Sequence, residues 1–195
     1  MSRLEARLRL VEMDQLMEFY FPEKFLPYCR ECPNYNARWS CPPYDKPLPR
    51  LEEYAGACLL SVQAVYDEET RAQTKGAQAT EAVYRRVVGQ AKRLAEEWAL
   101  AQQLRYPGSL ALACGGCRRC SRCARQDGLP CRFPEKLRFS LEAMGFDVAG
   151  IAERLLEQKM LWAGESLPAY HLLVGGLLWP GGSPPEPPCF SAVSC

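Results

Sequence analysis

The chain has 195 residues, 48% of them hydrophobic and 24% charged, the proportions of a soluble globular protein with room for one sizeable core. Its net charge is +1, so no overall field selects nucleic acid or a membrane surface as partner. Eleven cysteines stand against a single histidine, His171, which excludes the His-rich catalytic zinc and non-haem iron sites and leaves thiolates to hold any metal.

An odd cysteine count at three-residue spacings argues against a secreted disulfide framework. The first residues, Met-Ser-Arg-Leu-Glu-Ala-Arg-Leu-Arg-Leu, are charged at once and lack the apolar core of a secretory signal. The longest apolar run, Leu172 to Trp179, holds two glycines and falls far below the roughly 20 residues that span a bilayer. A reducing, cytoplasmic location is expected.

Residues 3–19 are expected to form an amphipathic helix, with Leu4, Leu8, Val11 and Leu16 near one face and Glu5 four residues before Arg9. Pro22 and Pro27 are expected to stop regular structure. The first cysteine block follows: Cys29 and Cys32 form a C-x2-C hook, and Cys41 precedes Pro42 and Pro43. A proline after a ligating cysteine fixes the backbone while other loop amides stay free to bond sulfur. Tyr28, Tyr35, Trp39 and Tyr44 interleave with these cysteines, either packing the loop or screening a metal group.

Ala57 to Tyr66 is expected to be a strand buried on both faces, with Cys58 as a small core residue. Residues 67–76, with Asp67, Glu68 and Glu69, read as a polar loop. A long helix is predicted over 78–105, its stripe traced by Val83, Val87, Leu94, Trp98 and Ala101 and its end set by Pro107-Gly108. Ser109 to Ala113 is a short strand that runs directly into the second cysteine block.

That block is Cys114-Gly-Gly-Cys117-Arg-Arg-Cys120-Ser-Arg-Cys123, followed by Cys131-Arg-Phe-Pro134. Pro134 should open a helix that ends at Gly145. Asp147 should cap another over about 148–160. A last strand is expected over 170–178, unless Gly175-Gly176 turns it into a hairpin. The tail, 181–195, with Cys189 and Cys195, is rich in Pro and Gly and should be irregular.

A thiolate every third residue presents several sulfurs from one irregular loop to one centre, the ligation mode of iron–sulfur clusters. Zinc ribbons instead use two C-x2-C hooks roughly 12–20 residues apart, whereas here a strand and a long helix separate the blocks. Eight cysteines are candidate ligands: Cys29, Cys32, Cys41, Cys114, Cys117, Cys120, Cys123 and Cys131. Two assignments compete. In one, Cys117, Cys120, Cys123 and Cys131 hold one [4Fe–4S] cluster, and Cys29, Cys32 and Cys41 hold a second that takes Cys114 or keeps an open iron. In the other there is a single cluster, and the first block is a structural or separate metal loop. Arg118, Arg119, Arg122, Arg125, Arg132, Lys136 and Arg138 oppose only Asp127 and Glu135, which suits an anionic cluster, an acidic partner or a solvated face. The basic stretch is too local to indicate nucleic-acid binding.

Three motifs carry a resemblance. Cys29-x2-Cys32, Tyr35 and Trp39-Ser-Cys41-Pro-Pro come first. Gly116-Cys117-x2-Cys120-x2-Cys123 with Cys131-Arg-x-Pro134-Glu-Lys follows, and then Ser140-x-Glu142-Ala-x-Gly145-x-Asp147-Val148. In this order, over about residues 25–180, the chain resembles domain-of-unknown-function family 2284. That family is known only as predicted metal-binding and has no established reaction. The resemblance implies a central ligand set of Cys117, Cys120, Cys123 and Cys131 and an N-terminal set of Cys29, Cys32 and Cys41. Cys114, Cys189 and Cys195 are additions to the family's pattern.

The expected fold is therefore a small α/β domain over residues 1–180. It has an N-terminal helix and first cysteine loop over 1–50 and an α/β core over 51–180. About three strands are packed by helices, and the two cysteine loops meet at one end. The expected function is that of an iron–sulfur redox protein with one or two [4Fe–4S] clusters, an electron carrier or the cluster subunit of a larger system, serving a redox protein partner. The alternatives are an enzyme whose open-iron cluster activates a small-molecule substrate, and a zinc-stabilised interaction module.

Overall fold

A computed structural model describes residues 2–181. Cys189, Cys195 and the predicted irregular tail, apart from Gly181, lie outside them. The fold is a mixed α/β arrangement built on one four-stranded antiparallel sheet of order β1-β2-β4-β3. The strands are β1 (Ser2–Glu12), β2 (Gly56–Tyr66), β3 (Leu110–Leu112) and β4 (Tyr170–Trp179). Among the described residues no helix is long and apolar enough to cross a membrane.

β2 is central because its sequence, Gly-Ala-Cys-Leu-Leu-Ser-Val-Gln-Ala-Val-Tyr, is apolar on both sides of the pleat. Cys58, Leu60, Val62, Ala64 and Tyr66 face one core, and Ala57 and Leu59 face the other. Full burial of a leucine such as Leu59 or Leu60 contributes roughly 1.5–3 kcal/mol. Cys58 is a core residue, as its position in an apolar run indicated.

The first core is closed by α4 (Ala77–Arg105). Val87, Val88, Ala91, Ala95, Trp98 and Ala99 form its buried stripe, and the alanines let the helix approach the sheet closely. The second core lies under α1 (Met13–Met17), α5 (Leu141–Met144) and α6 (Val148–Gly150), with Leu16, Phe19, Leu141, Met144, Phe146 and Ile151 at its centre.

Five local expectations are corrected. Residues 3–19 do not form a helix: Ser2–Glu12 pairs along all of β2 and only Met13–Met17 is helical. Leu4, Ala6 and Leu8 share one face of the sheet, so a two-residue repeat governs this segment. Pro22 and Pro27 do not break the chain either. They sit in α2 (Pro22–Glu31), Pro22 in the first turn, where a missing N–H costs nothing. In the segment 67–76, Glu68–Gln73 is a short helix, α3, capped by Asp67, which accepts from the Thr70 N–H at 2.8 Å.

The helix expected from Pro134 to Met144 is interrupted. Pro134–Lys136 is a single 3-10 turn, the Ala113 N–H bonds the Phe139 carbonyl, and only Leu141–Met144 is α-helical. Helix 148–160 is likewise shorter: α6 passes into a π turn over Ile151–Leu155 and stops. Its Asp147 cap and the Gly145 C-cap of α5 are as expected. β4 is one continuous strand and Gly175-Gly176 is no hairpin turn. The pair is there for close approach: a Cβ on Gly176 would lie 2.2 Å from the Cys58 carbonyl oxygen, and one on Gly175 would lie 2.9 Å from the Cys114 sulfur.

Candidate metal centre

The nine cysteines among the described residues are all free, and the structure sorts them into a core thiol and three neighbourhoods. Cys58 is the core thiol, and burial pushes it up to about 11.

Cys117, Cys120, Cys123 and Cys131 line one small cavity together with Arg38, Trp39, Phe133 and Leu137. Their loop has little regular structure: a 3-10 turn over Ala124–Asp127 and another over Pro134–Lys136. The short turns are what allow four cysteines at three-residue and eight-residue spacings to line one cavity. The N–H groups of Arg119 and Arg138 both bond the Cys117 sulfur and lower its pKa, against burial, which raises it more. The Arg138 side chain is buried beside Cys117 and donates to the Glu135 and Leu137 carbonyls at 3.0 and 2.7 Å.

Cys29, Cys32 and Cys41 make the second neighbourhood. Cys29 sits in the last turn of α2 and Cys32 caps that helix, with its N–H on the Cys29 carbonyl at 3.1 Å. Cys41 is buried and leads into a cis Pro42–Pro43 bond. Burial raises both the Cys29 and the Cys41 thiol, and the other cysteines of this trio add to it. Ser40 opposes the rise at Cys41. Beside them lies a cavity of about 420 Å³ lined by Tyr35, Pro42, Tyr44 and Glu142 among others.

The two loops meet, as expected of them. The Cys117 N–H donates to the Ser40 hydroxyl at 3.0 Å, and Arg38 donates to the Cys117 carbonyl at 2.7 Å. Arg125 is the clip between them. Its side chain is only 6% exposed and donates to the carbonyls of Arg38, Cys41 and Pro43, while its guanidinium lies 4.8 Å from the Trp39 ring. From sequence, Arg125 looked like one more member of a basic face. Arg125 and Arg138 instead turn inward, and Arg122 pairs with Asp127. Trp39 and Tyr44 are packing residues with satisfied polar tips: Trp39 donates to the Leu129 carbonyl and Tyr44 to the Ala143 carbonyl.

Cys114 stands apart. It is buried on β4, over Gly175, in a third cavity with Lys92 and Glu142, and burial pushes its thiol up to about 12. Glu142, which the sequence marks only as part of a motif, lines both this cavity and the one beside Cys29. Desolvation by the surrounding protein raises its pKa, while Ser140 and Lys92 oppose the rise.

The donor set fits a thiolate-ligated metal group. The N–H groups on the Cys117 sulfur and the buried Arg138 guanidinium nearby favour negative charge on sulfur, against burial and the neighbouring Cys131, and a bound cation would offset that cost. No three His, Cys, Asp or Glu side chains among the described residues are drawn together as the ligands of one ion. One zinc ion would set its sulfurs about 3.8 Å apart, from tetrahedral bonds of about 2.3 Å. A four-iron cluster places each thiolate on a different iron and sets them wider.

No curated protein and no solved structure matches the chain. Residues 15–174, which span both cysteine loops, β2, β3 and the first half of β4, match the family DUF2284, described as predicted metal-binding protein, and the chain belongs to that family.

Proposed function

We propose that the protein is an iron–sulfur redox protein that holds one [4Fe–4S] cluster between Cys117, Cys120, Cys123 and Cys131. The observation that carries this reading is that these four cysteines, and no other ionisable donor besides arginine, line one cavity. A cluster with four protein thiolates has no free iron site and serves as an electron carrier. The basic rim, Arg118, Arg119 and Arg132, gives it an exposed surface for an acidic redox partner. Free cysteines throughout the described chain suit a reducing, cytoplasmic setting.

A second cluster on Cys29, Cys32 and Cys41 follows from the same chemistry. Cys114 lies in a different cavity, so this trio would leave one iron open, facing the space lined by Tyr35, Tyr44 and Glu142. Such an iron acts as a Lewis acid toward a small substrate. That is the enzymatic form of the reading.

The test is metal analysis of protein purified without oxygen. About eight iron and eight sulfide per chain supports both clusters, and about four supports the first alone. Cys120→Ser should remove about four iron, and Cys32→Ser should remove the remainder if the second cluster exists. Zinc without acid-labile sulfide would overturn the cluster reading in favour of a zinc-stabilised module.

A further inference from the structure

β3 is only three residues long and covers β4 only at Gly176, Leu177 and Leu178. The rest of β4, from Tyr170 to Gly175, is bonded to β2 on one side and has no strand on the other among the described residues. A cavity of about 330 Å³ opens along that edge, between β4, α4 and residues 160–163. Its size is within the range of small-molecule sites.

Its two walls differ. Met160, Leu161 and Trp162 form an apolar wall, with Trp162 77% exposed at the rim. Lys92, Tyr84, His171, Glu81 and Glu142 form the polar wall. His171 is 7% exposed, and its Nδ1 is bonded to the Tyr66 hydroxyl at 2.9 Å, so its orientation is fixed. Tyr84 braces the ring edge-on at 4.8 Å. The other ring nitrogen, Nε2, is buried and has no hydrogen-bond partner. An unsatisfied buried nitrogen of this kind is unfavourable unless a ligand or water meets it. Lys92 is partly buried, and its ammonium comes to the Gly115 backbone so closely that a Cβ there would lie 3.2 Å from it. Gly115 thus leaves the room the ammonium occupies.

We propose that this cavity binds a small organic monocarboxylate, its carboxylate held by Lys92 and His171 and its apolar body against Met160 and Trp162. The charge of the wall selects a monoanion. Lys92 supplies one cation within the cavity and Arg118 acts on it from outside, while Glu142, whose charge already acts on Lys92, opposes a second negative charge; Glu81 is engaged by Arg85. A dianion such as phosphate is disfavoured, and an uncharged analogue leaves the ammonium desolvated without a partner. The free edge of β4 offers backbone N–H groups to the second carboxylate oxygen. This site uses none of the cysteines assigned to a cluster. It stands or falls independently of the iron–sulfur reading.

Isothermal titration calorimetry on the protein as purified, without oxygen, tests this directly. The probes are hexanoate, benzoate and phenylacetate, with benzyl alcohol and inorganic phosphate as controls. At least one carboxylate should bind one to one with a Kd below about 1 mM, and both controls should bind at least about tenfold more weakly. Lys92→Met should weaken the carboxylate about tenfold or more, and Lys92→Arg should retain most of the affinity. Trp162→Ala changes only an exposed side chain and should weaken phenylacetate about fivefold while leaving the fold intact. Circular dichroism and metal content equal to wild type identify variants that are folded. The proposal is overturned if none of the three carboxylates saturates, if phosphate binds as tightly, or if folded Lys92→Met and Trp162→Ala both bind as wild type.

Discussion

Arg125 holds the two cysteine loops together, and its removal should loosen one loop without touching the sheet. Its guanidinium donates to the carbonyls of Arg38, Cys41 and Pro43 at 3.2, 3.0 and 2.5 Å, and it is almost fully shielded from solvent. Hydrogen bonds from a charged donor contribute about 1.5–3 kcal/mol each in mutational series, and bonds sharing one side chain do not add. The contact with the Trp39 ring adds about 0.5–1 kcal/mol. The pair with Asp45, itself 63% exposed, contributes little. A loss near 3 kcal/mol in Arg125→Ala is the expected net, equivalent to about 100-fold faster local opening. Hydrogen exchange followed by mass spectrometry reads this peptide by peptide. Amides in 34–45 should exchange about 100-fold faster, while those in β2 should be unchanged. Arg125→Lys keeps the charge but not the fork, and should recover roughly half of the loss on a logarithmic scale. Exchange in 34–45 within about threefold of wild type in Arg125→Ala would refute the clip.

Two further outcomes follow from the sheet. Gly176 has φ of +147° and no room for a Cβ beside the Cys58 carbonyl, so Gly176→Ala should lower the melting temperature by at least about 6 °C; a change of under about 2 °C would show that the strands can separate there. Burial lowers the pKa of His171, the only histidine, which is faced by Tyr66 and Tyr84 and shares a cavity with Glu81 and Lys92. The unfolded chain therefore binds more protons than the folded one below an unfolded pKa of about 6.5, and stability should fall as pH drops through that value. His171→Gln should flatten the change in unfolding midpoint between pH 7.5 and 5.5, and an unaltered slope would remove His171 as its source.

Much of the sheet was legible because its strands are apolar on both sides of the pleat. The predicted 57–66, 78–105 and 170–178 agree with β2, α4 and β4 to within a residue or two. β1 was not, although its signal is present. Residues 3–10 read Arg-Leu-Glu-Ala-Arg-Leu-Arg-Leu, a strict alternation, but leucines at 4 and 8 also satisfy a helical repeat. The pairing edge of β2, invisible in the local sequence, decides between them. Proline misled twice in opposite directions. Pro22 opens a helix where a break was expected, and Pro134 opens only one turn, after which the Phe139 carbonyl accepts from the Ala113 N–H beside β3 and the segment is held extended.

At the site, the spacing of the cysteines was informative and the role of Cys114 was not. The run Cys114, Cys117, Cys120, Cys123 is uniform in sequence, but its first member still packs against the sheet, over Gly175, as the loop begins. The brevity of β3 explains this. β3 ends at Leu112, and within two residues the chain must leave β4, which leaves Cys114 seated over Gly175 and sends Cys117 toward Arg38 and Ser40. The same early exit uncovers the edge of β4 from Tyr170 to Gly175 and so opens the cavity that holds Lys92 and His171. Glu142, at the start of α5, closes the space between that cavity and the Cys29 trio because the Ala113–Ser140 bridge ties its segment to the point of exit. A longer β3 would cover the ligand cavity and carry the cysteine run out of reach of the first loop. The shortest strand of the sheet is therefore the element on which both the cysteine centre and the cavity beside it depend.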